Sequence, residues 1–138
     1  MKVFLDTSVL VGVLRGEPGL NKLFAPEIQP KVTYAINPVV LQELLLVIGS
    51  AADSSTLDDL TKSMEVLPVD TSTVEESLKT VRELRNRTIH ANELLILGSA
   101  QSCDYLVTMD RDLQQIAGRA TMKAISPEEL LKLLEEHK

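Results

Sequence analysis

Apolar positions in this chain fall into two kinds of stretch. Short, nearly continuous β-branched and aliphatic runs recur at residues 2–5, 32–36, 64–69, 105–108 and 121–125, the pattern of strands buried on both faces of a parallel sheet. Between them lie longer segments that predict helices over 8–15, 19–24, 38–51, 56–63, 73–87, 91–102, 111–117 and 127–136. Capping chemistry marks several helix starts. Asn37-Pro38 places an amide acceptor at the N-cap and proline at the first helical position, Ser126-Pro127-Glu128-Glu129 reads as a capping box, and Thr73-Val74-Glu75-Glu76 offers another.

Strands alternating with helices predict an α/β three-layer sandwich, a parallel sheet of about five strands flanked by helices, as a single domain over residues 1–138. Two helices fall between successive strands up to the fourth, so strict one-to-one alternation is broken. Ligands of such folds bind beyond the carboxyl ends of the strands, near a switch in strand order, and chemistry is expected at that edge.

Composition narrows what that chemistry can be. The 138 residues are 44% hydrophobic and 25% charged, which suits one globular core. Lysine and arginine number 14 against 20 acids, for a net charge of −6, so wholesale electrostatic wrapping of nucleic acid is excluded and only a local site remains open. Four aromatics (Phe4, Phe24, Tyr34, Tyr105) and no tryptophan argue against a base-stacking platform. A lone cysteine, Cys103, forms no internal disulfide and no cysteine-rich zinc cluster, and points to a reducing cytoplasm. Asp6 interrupts the first apolar run before a signal peptide can develop. The stretch over residues 39–48 is broken by Gln42 and Glu43 and is half the roughly 20 residues a membrane helix needs.

Four acids spread along the chain are candidates, three of them at carboxyl ends of strands or at helix starts on the same edge. Asp6 directly follows the first strand and reads either as a cap of the next helix or as a site carboxylate. Glu43 lies in a helix apolar nearly all round, so it occupies a narrow solvent stripe or is partly buried, where a cation would offset the cost of its charge. Glu93 opens a further apolar helix, with Asn92 as a candidate cap. Asp110 follows the fourth strand, with Asp112 two residues on, and it too is a candidate cap. Oxygen-only acidic ligands at such an edge suit Mg²⁺ or Mn²⁺.

The segments around these acids resemble the motifs of the PIN-domain family, the nuclease fold that includes VapC-type toxins. Val3-Phe4-Leu5-Asp6-Thr7-Ser8-Val9-Leu10 is similar to its opening motif, Asn37-Pro38-Val39-Val40-Leu41-Gln42-Glu43-Leu44 to the segment of its second acid, His90-Ala91-Asn92-Glu93-Leu94-Leu95-Ile96-Leu97 to that of its third, and Tyr105-Leu106-Val107-Thr108-Met109-Asp110-Arg111-Asp112-Leu113 to its closing motif. The four occur in order over essentially the whole chain. One departure stands out: the family's third acid is usually aspartate, whereas Glu93, or Asn92 by ungapped counting, stands here. The resemblance implies metal-dependent hydrolysis of RNA, with Asp6, Glu43, Glu93 and Asp110 holding one or two Mg²⁺ or Mn²⁺ ions that orient and help deprotonate a water. It casts Thr7, Ser8 and Thr108 as donors that orient the carboxylates, and Asp112 as an auxiliary ligand or helix cap. It further implies a homodimer, and either the toxin of a toxin–antitoxin pair, with an antitoxin protein as partner, or an RNA-processing nuclease.

Other features have plainer readings. Lys79, Arg82 and Arg85 recur at three-residue spacing and either steer a phosphate backbone or belong to a solvated face with the pairs Glu75/Lys79 and Glu83/Arg87. His90 reads as a capping or structural residue, Cys103 as a small core residue, and Leu130, Leu131, Leu133 and Leu134 as core. Two alternatives accompany the nuclease: a PIN-like binding module with a degraded metal site, suggested by Asn92-Glu93, and a receiver-like phosphoacceptor domain in which Asp6, Asp70 and Thr108 take the key roles.

Overall fold

Residues 1–49, 54–83, 89–119 and 122–136 are described by a computed structural model of the chain. Five strands, β1 (Lys2–Leu5), β2 (Thr33–Ile36), β3 (Met64–Val66), β4 (Tyr105–Val107) and β5 (Ala124–Ile125), form one sheet in the order β3-β2-β1-β4-β5. All neighbours are parallel, with Val3 opposite both Tyr34 and Tyr105. Around the sheet lie α1 (Thr7–Leu14), α2 (Pro38–Ile48), α3 (Ser54–Lys62), α4 (Thr71–Glu83), α5 (Ala91–Ala100), α6 (Arg111–Arg119) and α7 (Pro127–Glu136). This is the expected α/β sandwich. Among the described residues no helix is long and apolar enough to cross a membrane.

The order of the strands decides where a site can form. The chain builds outward from β1 through β2 to β3, then returns to place β4 on the other flank of β1. The switch point therefore lies between the carboxyl ends of β1 and β4, the crevice in which open α/β sheets bind ligands. A receiver-like sheet runs 2-1-3-4-5 instead, so the strand order overturns that alternative. Central β1 is the most deeply buried strand: Val3, Phe4 and Leu5 are wholly inaccessible. Leu130 and Leu134 of α7 join the same core, with Leu131 packed against it.

Strands β2 to β5 are shorter than their sequence patterns, whereas α6 runs to Arg119, past its expected end at Ala117. β3 ends at Val66 rather than at residue 69, although the Leu67 amide still bonds Ile36 O at 2.7 Å. Residues 20–24 form a 3₁₀ turn, as do residues 29–31, which carried no sequence signal. α2 stops at Ile48 because Gly49 takes a positive φ of 60° and bonds back to Leu45 O. The expected extensions to Ala51 and Arg87, and the Thr121 start of the fifth strand, lie outside the described residues, as do Arg85 and the Glu83/Arg87 pair.

Caps were read correctly where the signal was strictly local. Asn37 Oδ1 accepts from Val40 N at 3.1 Å, and Ser126 and Glu129 exchange the two bonds of a capping box, at 3.2 and 3.4 Å. At α4 the cap is Asp70, three residues before the expected box. Its Oδ1 accepts from Ser72 N (3.0 Å), Thr73 N (3.2 Å) and Ser72 Oγ (2.7 Å), while Asp70 N donates to Thr73 Oγ1 at 3.2 Å. The bond from the Ser72 hydroxyl, followed by that from the Thr73 amide, holds the Asp70 carboxyl below its ordinary pKa.

The α4–α5 seam reverses the usual amphipathic rule. Thr73, Ser77 and Thr80 are the buried residues of α4, whereas Val74, Leu78 and Val81 stand about half exposed on its outer side. Ser77 Oγ reaches the carbonyl oxygens of Thr73 (2.9 Å) and Leu94 (2.8 Å). The two helices approach so closely at Gly98 that a Cβ there would sit 2.6 Å from both Thr73 O and Ser77 Oγ. Gly98→Ala is expected to cost about 2 kcal/mol through this overpacking, read as a lower urea midpoint at unchanged slope. An unchanged midpoint would show that the seam can spread freely.

Candidate metal and nucleic-acid site

Asp6 leaves β1 at the switch point and occupies the N-cap position of α1, yet its side chain makes no cap bond. The capping reading of Asp6 is thereby replaced by another. Asp6 Oδ2 accepts from Thr108 Oγ1 at 2.7 Å and from Ser8 Oγ at 3.0 Å. Parallel pairing of Leu5 with Val107 sets Asp6 beside Thr108 across the strand boundary, and Asp6 N donates to Val107 O at 3.0 Å. Each hydroxyl is itself oriented by the β4–α6 loop: Ser8 Oγ accepts from Met109 N (3.1 Å) and Thr108 Oγ1 from Asp110 N (3.1 Å). Gln114 closes the arrangement by donating Nε2 to Thr108 O at 3.0 Å. Sequence reading missed Gln114; its one legible signal is a polar residue one turn beyond the Asp110 segment.

Glu43 is half-buried on α2, and Thr7 Oγ1 donates to its Oε1 at 2.8 Å. The narrow-stripe and partly buried readings of Glu43 thus meet: one side faces the protein and is bonded, the other remains accessible. Because Thr7 directly follows Asp6, this bond places two candidate carboxylates on adjoining hydroxyl-bearing residues. Asp110 is exposed and caps α6 through Oδ1, which accepts from Asp112 N at 2.9 Å and Leu113 N at 3.3 Å. Asp112 lies in the first helical turn and is not the cap. One carboxylate oxygen of Asp110 is committed to capping, and among the described residues the other receives no hydrogen bond.

Glu93 is half-buried in the first turn of α5 and makes no hydrogen bond or ion pair among the described residues. The N-cap position belongs to His90, whose side chain makes no cap bond, so the Asn92 capping reading is corrected; Asn92 sits inside the helix and is exposed. What fixes α5 is Asn37. Its fully buried amide caps α2 through Oδ1 and donates Nδ2 to Ser99 Oγ (2.9 Å) and Leu95 O (3.3 Å). Sequence reading found the cap but not the bridge, because the second half of that role depends on residues some 60 positions away.

The donor set has the chemistry of a hard-cation site. Asp6 is only 7% exposed, and the ion pairs found among the described residues, Lys2 with Glu65 (3.0 Å) and Lys79 with Glu76 (2.9 Å), lie elsewhere. A buried carboxylate that receives only neutral hydroxyls keeps an uncompensated charge, which a bound cation would offset. The acids are not gathered into one tight cluster, for among the described residues no group of three or more His, Cys, Asp or Glu side chains is placed to hold an ion. The Lys79–Glu76 pair replaces the expected pairing with Glu75, and Arg82 is exposed. Cys103 is half-buried before β4, and burial raises its thiol pKa.

Comparison with solved structures matches this architecture. The chain is similar to the VapBC2 structure from Rickettsia felis bound to a promoter DNA fragment, at 21% identity, TM-score 0.74, and coverage of 91% of this chain and 98% of that one. It is also similar to DNA-bound VapBC from Salmonella typhimurium, at 20% identity, TM-score 0.75 and the same coverage of the two chains. Mycobacterium tuberculosis VapC20, a sarcin–ricin loop cleaving toxin, shares 14% identity over 82% of this chain and 93% of its own, with a TM-score of 0.62. No curated protein sequence matches. The sequence profile of the PIN domain matches residues 3–119, and the chain belongs to the PIN-domain family.

Proposed function

We propose that this chain is a divalent-metal-dependent ribonuclease and the toxin member of a toxin–antitoxin pair. The observation that carries the reading is Asp6: a buried carboxylate at the switch point, oriented by two hydroxyls and without a cationic partner among the described residues. Asp6 anchors the ion in this reading, with Glu43, Glu93 and Asp110 as the other ligands and Mg²⁺ or Mn²⁺ as the cation. When bound, such an ion supplies Lewis-acid charge at the scissile phosphate and an acidified water. Ser8 and Thr108 hold the Asp6 lone pairs in direction, and Thr7 does the same for Glu43. Capping by Asp110 Oδ1 fixes the rotamer of that residue and turns its second oxygen away from the helix amides. RNA is the substrate, supported by VapC20 among the similar structures. An antitoxin partner is supported by the VapBC complexes of the same fold. A cytoplasmic homodimer accords with the lone cysteine and with the exposed Leu45, Leu46 and Val47 of α2, of which Leu46 is 79% accessible.

The test is cleavage of a panel of labelled single-stranded and structured RNAs in Mn²⁺, Mg²⁺ or EDTA. Metal-dependent scission is expected, abolished by EDTA and restored by excess Mn²⁺. A folded protein that neither cleaves RNA nor binds Mn²⁺ by titration calorimetry would support the second reading, a PIN-like binding module without catalysis. That reading is favoured by the separation of the acids and by Glu93 having no partner among the described residues.

A further inference from the structure

A cleft of about 330 Å³ lies beside the proposed site, between the start of α6 and the start of α7. Met109, Arg111 and Gln114 line one wall, and Ser126, Glu128 and Glu129 line the other. We infer that this cleft is a subsite for the nucleotide flanking the scissile phosphate, with Arg111 gripping its backbone phosphate and Met109 contacting its base. The inference rests on the ribonuclease reading above and adds to it the residues that position the substrate.

Three observations carry it. First, the cleft is mechanically joined to the site, because Gln114 on its wall bonds Thr108 O and Met109 N bonds Ser8 Oγ. Second, Arg111 is exposed at the first position of α6, where its charge opposes the helix dipole, and it makes no ion pair or hydrogen bond among the described residues. A cation placed against its own helix and left unpaired breaks a local rule without a structural return, the mark of a residue kept for a ligand. Third, Met109 is 42% exposed although its backbone N–H is held by Ser8 Oγ. A flexible thioether held beside a polar site offers an apolar face to a base.

The opposite wall sets the orientation. Glu128 is exposed and Glu129 is engaged with Ser126 in the α7 capping box, so that side repels phosphate and accepts N–H donors. The phosphate therefore lies toward Arg111, and the edge of the base toward α7.

The test uses an RNA that the unmodified protein cleaves. Arg111→Ala is expected to raise KM about 10-fold with little change in kcat, and Arg111→Lys to recover most of the loss. Fluorescence anisotropy in the Asp6→Asn background, where the RNA stays intact, isolates binding. Removing one phosphate contact lowers the slope of log Kd against log salt by about 0.7, a change expected for Arg111→Ala and absent for Arg111→Lys. Met109→Ala is expected to raise KM about threefold with the salt slope unchanged. An Arg111→Ala protein with wild-type KM and salt slope overturns the subsite and leaves the nuclease standing. An unmodified protein that neither cleaves nor binds RNA removes the nuclease reading, and the subsite with it.

Discussion

Asp6→Asn is expected to reduce metal-dependent RNA cleavage at least about 100-fold while the protein stays folded. The carboxylate follows the wholly buried run Val3-Phe4-Leu5, where two hydroxyls converge on Oδ2. An asparagine keeps the shape, and its Oδ1 can still accept from Ser8 and Thr108, but the charge that would hold a divalent cation is gone. Removing an uncompensated buried charge also relieves a desolvation cost, so thermal stability should be equal or slightly higher. Single-turnover cleavage in Mn²⁺, with Mn²⁺ titration calorimetry on the same variant, checks both halves. Wild-type cleavage by Asp6→Asn would remove Asp6 from the chemistry. Glu93→Gln belongs in the same experiment: a comparable loss makes Glu93 a ligand, and an unchanged rate excludes it.

The second large effect is one of stability. Asn37→Ala is expected to cost about 3 kcal/mol, the sum of a lost N-cap and of buried groups left without their partner. Three bonds depend on this one amide: to Val40 N, Leu95 O and Ser99 Oγ. For a chain of this size such a change should lower Tm by about 10 °C. Asn37→Asp separates the two roles, since a carboxylate caps α2 as well as an amide but cannot donate to α5. If Asn37→Asp is as stable as the unmodified protein, the bridge to α5 contributes nothing and capping accounts for the whole effect.

What could be read along the chain was whatever a few neighbouring residues decide together. The run Val3-Phe4-Leu5 had to be a buried strand, and Asn37-Pro38 and Ser126 to Glu129 had to start helices, because their signals are complete within four residues. Thr73 to Glu76 failed for an instructive reason: Asp70 to Thr73 forms an equally good local pattern, and packing of Thr73 and Ser77 against α5 selects between them. The fate of Asp6 was likewise undecided locally, for capping and site roles use the same residue type. The partner that Asp6 takes in place of a cap bond, Thr108, arrives 102 positions later through the pairing of β1 with β4. For Glu43 the sequence pattern raised the question of a buried charge, and only the fold shows that Thr7 meets it. Arg111 attracted no notice in the sequence although the predicted helix over 111–117 begins there, because only the fold decides whether an acid elsewhere in the chain comes to pair with it.

The hydroxyl-lined seam between α4 and α5 also bears on how the molecule responds to temperature. α4 meets α5 with Thr73, Ser77 and Thr80, of which Ser77 bonds Leu94 O across the seam, so parting the helices uncovers little apolar surface of α4 and its share of the heat-capacity change is small. The sheet-centred core behaves oppositely, since its grip is hydrophobic and weakens on cooling. Val74, Leu78 and Val81 are already about half exposed, so α4 gives up only part of the burial of these side chains when it swings away. Ile96, Leu97 and Ala100 tie α5 into that core, so α4 is the element expected to open first, its amides exchanging with solvent at a free-energy cost that depends less on temperature than that of the strands.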